Sequence, residues 1–130
     1  MTNLLPISTI NKSVKNVMSD SDKSTWQVIC EITDLLPSVG VRALLGNEQV
    51  AVFHVNNKLY AISAIDPFSQ AAVLSRGIVG SLHNQVVVAS PLYKQHFNLA
   101  SGVCLEDDTV KVKTYSVREN NGKVELALTR

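Results

Sequence analysis

Aromatic side chains are scarce: three Phe, three Tyr and one Trp in 130 residues. No basic run interleaves with them, which leaves no platform on which bases could stack. Charge is sparse and balanced, with a formal net charge of +1. Nothing electrostatic therefore draws the chain to nucleic acid or to an acidic membrane surface. Cysteine occurs twice, at Cys30 and Cys104, each in apolar, strand-like surroundings where a free thiol behaves as a small hydrophobe. Two cysteines are too few for the disulfide framework of a small secreted domain, although a bond between them stays open on sequence alone. No apolar run approaches the length that spans a bilayer, and the N-terminus lacks the apolar stretch and cleavage pattern of a secretory leader. A Gly-rich strand-to-helix turn for a dinucleotide is missing, as is a haem attachment motif. The expectation is a soluble, reduced, cytoplasmic domain with no nucleic-acid or membrane partner.

What is present is a β pattern. The chain is long enough for one hydrophobic core and too short for two. Residues 1–23 are rich in Ser, Asn, Lys and Asp, with too few large apolar side chains to offset their ordering entropy. They read as a flexible extension, in which Ile10, Val14, Val17 and Met18 could form one short amphipathic turn. The domain proper occupies residues 24–130. Trp26, Val28, Cys30 and Ile32 alternate with Gln27, Ile29, Glu31 and Thr33, the period of a half-buried strand. The turn-rich stretch from Asp34 to Gly40 follows. Gln49 to Val55 and Lys58 to Ser63 flank Asn56-Asn57, a tight hairpin. Val86 to Ala89 is a short buried strand. Val110, Val112, Thr114 and Ser116 alternate with Lys111, Lys113, Tyr115 and Val117, and Asn121-Gly122 then turns the chain into Val124 to Leu128. No helical period lasts three turns. The fold class is all-β, an antiparallel sandwich or barrel with irregular loops in its middle.

Those loops carry a resemblance. One runs from Tyr60 through Ile65-Asp66-Pro67-Phe68, the other from Val88 through Ser90-Pro91-Leu92-Tyr93 to Gly102. The pair resembles the two cluster-binding loops of the Rieske family, matching at Pro91, Phe97, Leu99 and Gly102, and at Leu74-Ser75 and Gly77 between them. Four positions depart. Asp66 and Ser90 stand where the family has cysteine, Phe68 and Tyr93 where it has histidine. A Rieske centre needs two thiolates on one iron and two imidazoles on the other. A carboxylate, a hydroxyl, a phenyl and a phenol cannot supply that set. The resemblance is tighter to the small subunits of NAD(P)H-dependent nitrite reductase, through Leu44 to Ala51, Leu74 to Gly77 and Gly102 to Asp107, and it covers about Trp26 to Leu128. It implies a Rieske-like fold with no [2Fe–2S] group and no catalytic site in this chain. It also implies a large-subunit partner that carries FAD, an iron–sulfur cluster and sirohaem and reduces nitrite to ammonium. The alternative is a free-standing Rieske-like interaction module; an electron-carrying ferredoxin is disfavoured because all four ligands are missing.

Each singled-out residue has a plainer role to weigh. Asp66 could contact a partner or cap its own backbone as an Asx turn. Phe68 is expected to fill the space of the missing imidazole. Tyr93 could hydrogen-bond across to the first loop and so hold the pair together without metal. Arg76, Lys94, Gln95 and His96 are possible partner contacts, against the plainer reading of Lys94, Gln95 and His96 as a solvated tip. His54 is read as a structural strand residue, His83 as part of a turn, and Glu106-Asp107-Asp108 as a solvated acidic loop. Trp26 is placed in the core rather than at an interface.

Overall fold

The computed structural model describes residues 25–127; the 1–23 extension and its amphipathic turn lie outside them, as does Leu128. Among the described residues, nine strands form three antiparallel three-stranded sheets: β1 (Gln27–Glu31), β2 (Val41–Leu45), β3 (Glu48–Val55), β4 (Lys58–Ser63), β5 (Ile78–Leu82), β6 (Gln85–Ala89), β7 (His96–Asn98), β8 (Ser116–Asn120) and β9 (Lys123–Ala127). The sheets run β1-β9-β8, β2-β3-β4 and β5-β6-β7. The all-β antiparallel expectation holds.

The β2-β3-β4 sheet is the middle of the molecule because β3 is apolar on both faces. Ala51, Phe53 and Val55 point into one core with Leu74, Val88, Phe97, Leu99, Cys104 and Val112. Val50 and Val52 point the other way, into a second core with Leu35, Leu45, Tyr115, Val124 and Leu126. Alternating side chains thus bury a continuous apolar run between two flanking sheets. Cys104 belongs to the first core and Cys30 packs at the edge of the second. Both are free thiols, so the disulfide left open by the sequence does not form.

Three hairpins turn on two successive residues with left-handed backbone, while the β2–β3 turn uses Gly46 alone (φ 61°). Asn56 and Asn57 (φ 52° and 65°) join β3 to β4, and Asn121 and Gly122 (φ 55° and 80°) join β8 to β9, both as read from the sequence. His83 and Asn84 (φ 53° and 63°) do the same between β5 and β6, which accounts for His83 as a turn residue.

Two stretches depart from the sequence reading. The register of β1 on β9 shifts between Val28 and Cys30. That irregularity breaks the inward alternation, leaving Val28 half exposed and Ile29 partly buried, as a bulge does. Trp26 is half-buried rather than a core residue, and the Arg118 guanidinium lies 4.0 Å above its ring centroid. In the second stretch, residues 110–115 make only isolated bridges, Val103 with Lys111 and Ile62 with Thr114. The buried phase then flips from Val112 to Tyr115 before β8 begins.

Candidate functional site

β4 and β6 end at the same edge of the molecule, and each runs into one of the two loops. The first loop is closed by its own backbone. The Phe68 N–H donates to Asp66 Oδ1 at 2.8 Å, Gln70 N–H to the Asp66 carbonyl at 2.6 Å, and Asp66 N–H to the Ala71 carbonyl at 2.9 Å. The second loop repeats that scheme position for position. Leu92 N–H donates to Ser90 Oγ at 3.3 Å, Lys94 N–H to the Ser90 carbonyl at 3.0 Å, and Ser90 N–H to the Gln95 carbonyl at 2.9 Å. The residue four places on is left-handed in both, Gln70 at φ 62° and Lys94 at φ 68°. Asp-Pro and Ser-Pro explain the match: the side-chain oxygen caps the amide two residues on, and Pro presets the turn.

The two turns are tied to each other. The Ser90 hydroxyl donates to Asp66 Oδ2 at 2.5 Å, with Asp66 fully buried and Ser90 1% exposed. The sequence offered Tyr93 as one residue that could make such a cross-loop bond. Tyr93 instead points outward, 58% exposed. The shorter side chain makes the link because the paired turns bring residues 66 and 90, not their tips, face to face. Asp66 is also the Asx cap expected of it. Phe68 is part plug and part surface: its ring lies 6.3 Å from that of buried Phe97, yet the side chain remains 38% exposed.

The remaining candidates separate. Arg76 closes a 3-10 turn (Leu74–Arg76) and is exposed, and Lys94 is exposed at the second tip. Gln95 and His96 turn away from the tip. The Gln95 side-chain oxygen is buried without a hydrogen-bond partner. His96 starts β7, its Nδ1 2.5 Å from Glu106 Oε2 while its backbone N–H donates to Glu106 Oε1 at 2.8 Å. Glu106 is therefore a partner of His96 rather than a merely solvated acid. Burial pushes its carboxyl up, and the His96 hydrogen bonds and charge outweigh that and hold it below the ordinary range. Beside the first loop, a depression of about 290 Å³ is lined by Glu48, Ser63, Ile65, Lys113 and Tyr115. Glu48 Oε1 accepts there from Tyr115 at 2.6 Å and from Lys113 at 2.9 Å.

Two motif glycines set the loops in place. A Cβ on Gly77 would meet the Ala89 carbonyl oxygen at 2.5 Å, so only glycine lets the 3-10 turn lie against the end of β6. Gly102 has φ +80°, and a Cβ there would meet the Val112 carbonyl oxygen at 2.2 Å.

This fold, with paired Pro-containing loops at one edge, defines a class: the family model described as a Rieske-like [2Fe-2S] domain matches residues 25–127. Within that class the similarity narrows. The chain is 50% identical over 105 residues to the nitrite reductase (NADH) small subunit of Salmonella typhimurium, covering 79% of this chain and 97% of that one. The crystal structure of a Mycobacterium tuberculosis protein described as an NADH-dependent nitrite reductase small subunit superposes with a TM-score of 0.79 at 39% identity. It covers 82% of this chain and 97% of that one. A Klebsiella oxytoca protein named nitrite reductase [NAD(P)H] large subunit contains, over 10% of its length, a segment 37% identical to 76% of this chain. The chain belongs to the nitrite reductase small-subunit family of Rieske-like domains.

The residues at the four ligand positions do not fit the iron–sulfur group that the family description names. Asp66 and Ser90 are hydrogen-bonded directly to each other, and Phe68 and Tyr93 offer no imidazole nitrogen. Among the described residues no three His, Cys, Asp or Glu side chains gather in a metal-binding arrangement. None of the described helices is long and apolar enough to cross a membrane.

Proposed function

We propose that this chain is the non-catalytic small subunit of a cytoplasmic NAD(P)H-dependent nitrite reductase. It holds no cluster of its own and acts by binding a large subunit that carries FAD, an iron–sulfur cluster and sirohaem. The observation that carries this reading is the 2.5 Å Ser90–Asp66 hydrogen bond. Where the family places cysteine sulfur for iron, this chain uses both side chains to hold one loop against the other. What such a domain retains is a rigid surface, and a rigid surface suits a structural partner.

The Klebsiella protein gives independent support. A segment similar to this chain lies there within a polypeptide named as the large subunit, as expected of a domain that works beside that subunit whether tethered or free. Tethering raises the effective concentration of a partner without adding any contact.

Size-exclusion chromatography of the purified large subunit mixed with this chain tests the proposal, with iron measured in the chain beforehand. Co-elution of an iron-free chain in fixed stoichiometry supports it. Separate elution, or a chain that carries iron and sulfide in equal amounts, overturns it.

A further inference from the structure

From the geometry of the paired loops we infer that their tips form the docking surface for the large subunit. The recognised partner surface is an apolar depression edged by carboxylates. The inference rests on the small-subunit reading and adds which face binds and what chemistry it meets.

Three large apolar side chains crowd one edge of the domain: Phe68 is 38% exposed, Leu92 51% and Tyr93 58%. The Asp66–Ser90 bond ties together the two turns that carry them. The amide of Phe68 is bonded to the Asp66 carboxyl and that of Leu92 to the Ser90 hydroxyl, so one carboxyl and three hydrogen bonds separate the two backbones. Exposed apolar groups gathered this way mark a contact surface, whereas single ones are ordinary. Phe68, Tyr93 and Arg76 are also of residue types enriched at protein interfaces.

Charge decides the kind of partner. Residues 64–77 and 89–95 contain three charged side chains, Asp66, Arg76 and Lys94. Asp66 is fully buried, while Arg76 and Lys94 are exposed. Neither cation is paired among the described residues. Gly77 packs against the Ala89 carbonyl, which puts Arg76 at the foot of the second loop, and Lys94 stands at its tip. The exposed charges carried by the two loops themselves are therefore both cationic beside apolar side chains, and complementarity calls for carboxylates around an apolar hollow. The tips are also preformed. Both turns are closed by backbone bonds and locked together, so docking orders little that is mobile.

Isothermal titration of the large subunit with the chain tests this. Leu92→Ser with Tyr93→Ser should weaken binding by about tenfold or more. Arg76→Gln with Lys94→Gln should weaken it most at low salt and flatten its salt dependence. Phe68 is left intact because it also packs on Phe97. Val28→Asp, on β1 of another sheet and 52% exposed, should bind like the natural chain. Each variant is first shown by circular dichroism to melt as the natural chain does. If the natural chain binds and the tip variants bind equally well, the docking face lies elsewhere and this inference is overturned while the small-subunit reading stands. If the natural chain does not bind at all, that reading falls as well. Natural affinity in the tip variants together with lost sedimentation on phosphatidylglycerol vesicles would mean that the tips serve a lipid surface, and would also overturn the inference.

Discussion

Replacing Ser90 by alanine removes the link between the loops and little else. The side chain is 1% exposed and donates to Asp66 Oδ2, itself fully buried. Alanine fits the space but leaves Oδ2 without its donor, while Oδ1 keeps the Phe68 amide. A buried acceptor stripped of its partner costs about 1–3 kcal/mol. The second loss, the 3.3 Å bond from the Leu92 amide, lies at an exposed residue that water can serve, and adds little. A destabilisation of about 2 kcal/mol in a domain of this size lowers Tm by roughly 10 °C. Thermal and urea unfolding followed by circular dichroism measure it. Hydrogen exchange adds a local readout, since the amides of Phe68, Gln70, Leu92 and Lys94 should exchange faster while those of β8 and β9 should not. Combining Ser90→Ala with Asp66→Asn should cost less than the two single changes added together, because both act on one bond. A Tm drop of less than about 2 °C with unchanged exchange in both loops would refute the claim that this bond replaces metal as the tie between them.

Other expectations follow from the same structure. Tyr115→Phe removes the 2.6 Å donation to Glu48 and should cost about 1 kcal/mol at neutral pH, measured by urea unfolding. The Tyr115 hydroxyl, with Lys113, holds the Glu48 carboxyl below its ordinary 4.5. Stability from that shift is present above pH 4.5 and lost as pH falls through the lowered value. Burial and the Glu48 bond raise the Tyr115 phenol above its ordinary 10.0. Stability from that shift is present below pH 10 and lost as pH rises through the raised value, so natural chain and variant should converge at both extremes. Gly102→Ala forces a Cβ to within 2.2 Å of the Val112 carbonyl at positive φ, and should lower stability by more than about 2 kcal/mol or prevent folding, read from soluble yield and melting. Anaerobic incubation with iron and sulfide should leave the purified chain without the visible absorption of a [2Fe–2S] centre, because two thiolates and two imidazoles are not there to hold it.

Much of the fold was legible because its signals are local. Asn56-Asn57 and Asn121-Gly122 mark their hairpins because left-handed turns select those residues, and the Gln49–Val55 run marks a strand whose burial on both faces only the structure shows. The edges were not legible. In β2, Leu44 is 62% exposed beside buried Leu45, so alternation between apolar and polar residues is masked. In β5, Ile78 is 77% exposed and Gly80 and Ser81 follow, leaving no apolar face to detect. The flipped phase at Tyr115 and the shift in β1 depend on tertiary pairing that no window of sequence contains. In the site, the Asx turn at Asp66 could be read directly. The Asp66–Ser90 bond could not, because residues 24 apart meet only after the two turns have formed. One hint was available in the repeated pattern of a capping oxygen before proline, Asp66-Pro67 and Ser90-Pro91, which announces two copies of one turn.

In the function proposed above, a domain without iron serves nitrite reduction by binding. The direct measurement is NADH- or NADPH-driven nitrite reduction by the purified large subunit as the iron-free chain is titrated in. Activity or its lifetime should rise to a plateau at fixed stoichiometry, unchanged by prior incubation of the chain with iron and sulfide. A flat response to the iron-free chain, or a rise that appears only after such incubation, would contradict it.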